Sequence, residues 1–419
     1  MNDLISIGCT SLLCFLIIWT LYTSIISKDV TKIWSPLTTI SLVYIYYCLW
    51  PYYLAISEKH AINEAQNNGY LFHMASLLSY VCILIGFKIK APFTTKRWNK
   101  LMSIENCNKY GIILVIIAMA CYVPFRGFHL SIAKGSETVE LEKGGFIYYL
   151  IFMTDILAAA MTLLYIKGKH SLKTKLLPMW IIIATFLYSG GRWRIVVMII
   201  SILTMMHLYP KKKKPNYGLI AILGIVLFLG FSAMDALRTY NQGIDFERAS
   251  ELDFNNVKKG AGENYDVYSF SMQAMNKVTQ YDTRIYFLPL LQAVLMPIPR
   301  FLFPAKPNAD YLHQMENIII GDDTQGAAFL NFVEGYMSFG WIGVIIYGIV
   351  LGWVSKLFWN NYKKNPDSIG AILLLGLFSG VSFSIVSRGD MASTLVNILY
   401  VICLPFLLLQ LLKKIKIIK

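Results

Sequence analysis

Basic residues placed where an apolar chain has little use for them are the first candidates for chemistry. Arg192 and Arg194 in SGGRWR, Arg300 and Lys306 in PIPRFLFPAKP, and Arg388 in SRGD lie at the ends of apolar stretches or in one long hydrophilic connection. A planar guanidinium grips two phosphate oxygens at once and keeps its charge at any relevant pH, so these positions point to an anionic ligand, a diphosphate above all. The competing role is snorkelling to lipid phosphates at the membrane surface. Gly190 and Gly191 allow a tight turn and a close backbone approach to a ligand, or simply a short loop. Glu334, in AAFLNFVEGYMSFGWIGVIIYGIVLG, is placed at the outer end of an apolar helix. A carboxylate there takes a proton from a sugar hydroxyl, or pairs with one of the arginines for structure.

Weaker candidates complete the set. Asp155 lies near the middle of an apolar stretch, where an ionisable group is a functional candidate, although a hydrogen-bonded Asp facing the bundle fits equally. His313 is placed as an acid or base, and Asp322 with Asp323 read as a solvated turn more readily than as metal ligands. The six histidines form no HExxH, and the seven cysteines form no CxxC pair, so no metal site is expected. No Walker A sequence and no ordered Ser/His/Asp set is present, so neither a nucleotide nor another cofactor is expected.

These residues must be positioned by an all-α, polytopic membrane protein. The 419 residues are 56% hydrophobic and 15% charged, with mean hydropathy +0.54, outside the soluble range. Runs of about 17 to 25 residues predict about 11 transmembrane helices: 4–27, 33–56, 70–87, 109–127, 146–166, 176–190, 193–209, 217–235, 332–355, 368–386 and 391–411. Lys and Arg crowd alternate connections, from Lys28 and Lys32 to the tail Lys413, Lys414, Lys416 and Lys419, whose side holds Asp29, Glu105 and Asp367 as its acids. By the positive-inside rule the N-terminus is outside and the C-terminus inside. The net charge of +14 therefore belongs to juxtamembrane clusters that fix topology and touch anionic lipid, and not to nucleic-acid binding. The first apolar run has span length with no basic flank before it, so it is expected to stay in the protein.

Three segments follow: helices 1 to 8 over 1–235, a large extracytoplasmic loop over 236–331, and helices 9 to 11 with a basic cytoplasmic tail over 332–419. The loop turns apolar over Ile285–Phe303, but Pro289, Pro297, Pro299, Pro304 and Pro307 make it a re-entrant or surface-lying helix followed by a proline loop. Gly348 with Gly352, and Gly376 with Gly380, form GxxxG patterns of close helix packing.

With SGGRWR at a hairpin, PIPRFLFPAKP in a large outer loop, ExYxxFGxxG at Glu334, Tyr336, Phe339, Gly340 and Gly343, and SRGD between the last two spans, the chain resembles Wzy-type polymerases of bacterial O-antigen, capsular or exopolysaccharide repeat units. The resemblance implies a fold like the GT-C-type glycosyltransferases that use lipid-linked donors. It implies a metal-independent membrane enzyme that moves a growing glycan from undecaprenyl diphosphate onto a new lipid-linked repeat unit, at the outer face of the bacterial plasma (inner) membrane. Arg192, Arg300 and Arg388 would then bind the diphosphate and neutralise the leaving group, and Glu334 would orient or deprotonate the acceptor hydroxyl. Membrane lipids, a chain-length regulator and a flippase are the implied partners. O-antigen ligases share this layout but carry a His shortly before the helix after the loop, where this chain has Gly326, Ala327 and Ala328, with His313 well upstream. A transporter of lipid-linked glycans would show two similar halves and charged spans instead of one large insertion.

Overall fold

The computed structural model describes residues 2–58, 69–91, 106–127, 152–166, 172–188, 192–209, 216, 218, 224, 238–239, 243–244, 262–295, 298, 302–303 and 328–415. In chain order the helices are α1 (Asn2–Ile25), α2 (Pro36–Ile56), α3 (Gly69–Lys88), α4 (Cys107–Arg126), α5 (Phe152–Tyr165), α6 (Leu172–Tyr188), α7 (Arg192–Leu208), α8 (Gly262–Tyr281), α9 (Leu288–Leu295), α10 (Asn331–Phe339), α11 (Trp341–Lys364), α12 (Ile369–Ser387) and α13 (Met391–Lys414). A two-residue antiparallel pair, Arg238–Thr239 with Gly243–Ile244, is the strand structure among the described residues.

Seven of these helices, α1 to α4 and α11 to α13, are long and apolar enough to cross a membrane among the described residues. The protein is a polytopic membrane protein. Helix α5 and the apolar parts of α6 and α7 match expected spans but are shorter. Most of the expected span 217–235 lies outside the described residues. The expected span 332–355 is corrected: the crossing helix α11 begins at Trp341, and Glu334 sits on the separate helix α10. Gly340, with φ +62°, makes the break, a backbone conformation that L side chains rarely adopt. Two other helices change pitch ahead of a proline. Residues Ile45–Leu49 and Ile398–Cys403 form π turns just before Pro51 and Pro405. A proline ring clashes with the carbonyl four residues earlier, and a widened turn there makes room for it.

The chain divides into two compact units. The first holds Met1–Thr94, Asn264–Asn361 and Ser382–Val396. Its α1 is built inside out, with Thr10, Leu13, Ile17, Thr20 and Ser24 buried while Phe15, Ile18 and Trp19 face outward. Lipid tolerates apolar surface, and hydroxyls need partners within protein. Thr10 accordingly meets His73 Nδ1 at 3.2 Å, and Ser41 meets Tyr80 at 2.8 Å. Helices α3 and α11 touch backbone to backbone. A Cβ on Gly86 would lie 2.2 Å from Ile349 O, and one on Gly352 would lie 2.1 Å from Ile83 O. The GxxxG at Gly348 and Gly352 is thus a packing seam.

Helix α8, polar in overall character, occupies the same unit as α1 to α3. Its Tyr268, Ser271, Met272, Met275 and Val278 recur at helical spacing and are buried. Tyr268 stacks edge-on against Phe72, and its hydroxyl lies 3.3 Å from His73 Nε2. The segment 236–331 therefore supplies a structural helix to this unit. Beyond it α9 is half exposed, with Leu290, Leu291 and Val294 outward and Pro289, Gln292 and Ala293 buried.

The second unit holds Thr95–Glu263, Tyr362–Val381 and Asn397–Lys419. Gly111 of α4 sits against Ala160 O of α5, with 2.8 Å to an added Cβ. The second GxxxG packs α12 on α7: a Cβ on Gly380 would lie 2.5 Å from Val197 O, and Ser201 Oγ donates to Gly376 O at 3.1 Å.

Candidate functional site

The two motifs in the first unit, around Glu334 and SRGD, meet. Glu334 lies in the first turn of α10 and is 1% exposed. Its Oε1 accepts the Met391 N–H at 3.1 Å, the backbone donor just after Ser387-Arg388-Gly389-Asp390. Asp390 caps the start of α13, accepting the Ala392 N–H at 3.0 Å and the Ser393 hydroxyl. The first N–H groups of a helix have no partner within it, so Glu334 and Asp390 share that duty for α13. Gly389 N–H donates to Phe329 O at 2.5 Å, and a Cβ on Gly389 would lie 2.6 Å from Leu330 O. Glycine is required where the SRGD backbone presses on the chain entering α10.

Helix α10 also lies on α11. A Cβ on Gly343 would fall 1.8 Å from Gly335 O, so Gly343 allows the two helices to fold back on each other after the turn at Gly340. The Tyr347 hydroxyl comes within hydrogen-bonding reach of Glu334 and Ser338. Three positions of ExYxxFGxxG have a physical reason here: a carboxylate at the SRGD loop, a turn glycine and a packing glycine. Buried at the start of α10 and the end of α12, Asn331 Oδ1 and Ser387 Oγ have no hydrogen-bond partner among the described residues. Buried polar atoms of this kind are unusual, and they are of the type that bind sugar hydroxyls.

In the second unit, Arg194 pairs through Nε with Asp155 Oδ1, and its guanidinium lies 4.8 Å from the Trp193 ring centroid. Asp155 belongs to the first turn of the described helix α5 and is 1% exposed in its side chain, against 21% for Arg194. Its Oδ2 has no partner among the described residues. This ion pair joins α5 to α7.

Arg192 is the first residue of α7, and Arg388 is half-buried at the end of α12. Arg300, Lys306, His313, Asp322, Asp323, Gly190 and Gly191 lie outside the described residues. Among the described residues, no group of three or more His, Cys, Asp or Glu side chains stands ready to hold a metal. Sequence reasoning passed over Arg284, whose Nη1 donates to Tyr336 O at 2.6 Å two residues past Glu334. Its only signal was a positive charge between the polar and apolar halves of the segment 236–331. Tyr347 and Asn331, inside apolar surroundings, carried none.

One family's sequence model, O-antigen polysaccharide polymerase Wzy, matches residues 3–418. No curated protein and no solved structure matches the chain.

Proposed function

The chain belongs to the O-antigen polysaccharide polymerase Wzy family, and from that premise we propose how its residues divide the reaction. The protein is a repeat-unit polymerase, a membrane enzyme of the glycosyltransferase type that acts on lipid-linked oligosaccharide repeat units. Neither a ligase nor a transporter is favoured by a family match of this extent.

In the proposed reaction the donor is the growing glycan on undecaprenyl diphosphate, and the acceptor is the nonreducing sugar of a new lipid-linked repeat unit. The acceptor oxygen bonds to the anomeric carbon of the donor. The bond from that carbon to the carrier diphosphate breaks, and the diphosphate leaves with the electron pair. Glu334 orients the acceptor hydroxyl and takes its proton. Arg192, Arg300 and Arg388, with Lys306, supply positive charge where negative charge develops on the leaving group. Arg194, engaged with Asp155, holds the helix that begins at Arg192. The reaction needs no metal in this scheme and takes place on the outer face of the bacterial inner membrane. There the chain crosses about eleven times in a GT-C-like arrangement, N-terminus out and C-terminus in, with a flippase supplying substrate and a separate regulator setting chain length.

One observation carries the reading: Glu334 is seated at the SRGD loop, so a carboxylate suited to proton transfer and an arginine suited to the diphosphate belong to one junction. Surface polysaccharide from a deletion strain tests it, after complementation with wild type, Glu334→Gln or Arg300→Ala. Single capped repeat units that wild type restores to a ladder and the variants do not are the expected pattern. Loss of all repeats from the surface with polymer accumulating on the carrier would instead identify a ligase.

A further inference from the structure

The C-terminal end of α10 is gripped as firmly as its start. The last carbonyls of a helix lack partners within it and carry the negative end of its dipole. Tyr336 O accepts from Gly340 N–H at 2.8 Å and from Arg284 Nη1 at 2.6 Å. Met337 O accepts from Ile285 N–H at 3.1 Å. The Arg284 guanidinium also lies over the Tyr336 ring, 5.0 Å from its centroid, and the Tyr336 hydroxyl reaches Thr279 Oγ1 at 2.9 Å. A Cβ on Gly340 would lie 3.5 Å from Nη1, so the cation sits over the turn that separates α10 from α11. Asp282, 3.9 Å away and 92% exposed, neutralises little of this charge.

The backbone around Arg284 is held against its own preference. Asp282 and Tyr286 both have positive φ, 50° and 45°. Such a conformation in a tyrosine persists only where surrounding contacts over-determine it. Here those contacts are the bonds of residues 284 and 285 to the end of α10. At the other end Ser271 Oγ accepts the Leu330 N–H at 3.0 Å. Helix α10 is therefore clamped at both ends by the outer segment, while Glu334 between them faces the SRGD loop.

We infer that Arg284 is a positioning residue for Glu334: its guanidinium caps α10, fixes the turn at Gly340, and so sets where the carboxylate stands relative to residues 387–391. The inference rests on the proposed role of Glu334. A displacement of about 1 Å at a reacting group lowers the rate by up to about a hundredfold without loss of substrate affinity. Purified enzyme in nanodiscs, given lipid-linked repeat units, provides the test. In Arg284→Ala, kcat is expected to fall about tenfold to a hundredfold, with KM for the repeat unit unchanged. Arg284→Lys keeps the cation but not the planar fork, and is expected to recover part of kcat. It also serves as the second variant where Arg284→Ala does not accumulate. A raised KM at normal kcat would overturn the inference, since Arg284 would then bind substrate; so would wild-type kcat in both variants. Glu334→Gln, measured alongside, separates the two ideas: its full activity sinks the Glu334 role itself, whereas an inactive Glu334→Gln beside a fully active Arg284→Ala sinks only the clamp.

Discussion

Two carboxylates are buried among the described residues, one in each compact unit, and the fold uses them differently. Asp155 faces an arginine side chain, so two charges meet and join helices α5 and α7. Glu334 faces a backbone N–H of the SRGD junction, and its own helix is held at both ends by other segments. Burying an ion pair is a way to join helices at a considerable desolvation penalty, and removing one member leaves the other stranded. Placing a carboxylate on a tightly held helix beside a motif loop is a way to fix a reactive group in space. On this contrast we propose that Asp155 serves architecture and Glu334 serves chemistry.

Three substitutions press on that contrast. Glu334→Gln keeps shape and some hydrogen bonding but removes the proposed proton acceptor, so polymerisation is expected to fall at least about a hundredfold while the protein stays abundant, as read by repeat-unit ladders and immunoblot. A full ladder from this variant would erase the distinction. Asp155→Ala acts in the opposite sense: it destabilises the second unit by about 3–5 kcal/mol, and protein level falls before specific activity does. Pairing it with Arg194→Met removes both charges and restores much of the level, which thermal denaturation in detergent would register. The smallest effect belongs to Tyr336→Phe. It removes the hydroxyl that meets Thr279 but leaves the carbonyl that Arg284 caps, and lowers stability by about 1 kcal/mol with kcat nearly intact.

Much of this was legible in the chain before its fold was known. Apolar runs and lysine-rich connections located α1 to α4 and α12 to within a few residues, because lipid imposes length and apolarity on whatever crosses it. Both GxxxG pairs proved to be packing seams. The approach of Glu334 to SRGD follows from topology, since two successive crossing helices return the chain to the face it left. The break at Gly340 was harder to read, because phenylalanine and tryptophan on both sides make the hydropathy continuous through it. Helix α8 was hidden for the opposite reason. Its composition is polar, and only the spacing of Tyr268, Ser271, Met272, Met275 and Val278 betrays a buried face. Asp155 was visible as a buried ionisable group, but its partner was not, since Arg194 had been grouped with ligand-binding arginines and nothing local connects residues 39 positions apart. Arg284 was passed over because its partner is a backbone carbonyl, which leaves no mark in a side-chain pattern.

The seam between α3 and α11 has a mechanical meaning. Gly86, Gly348 and Gly352 bring main chain against main chain, so the joint contains few rotatable side chains to rearrange. A joint of that kind does not creep by rotamer hopping. It makes α11, and with it the turn at Gly340, a rigid support for the short helix that carries Glu334.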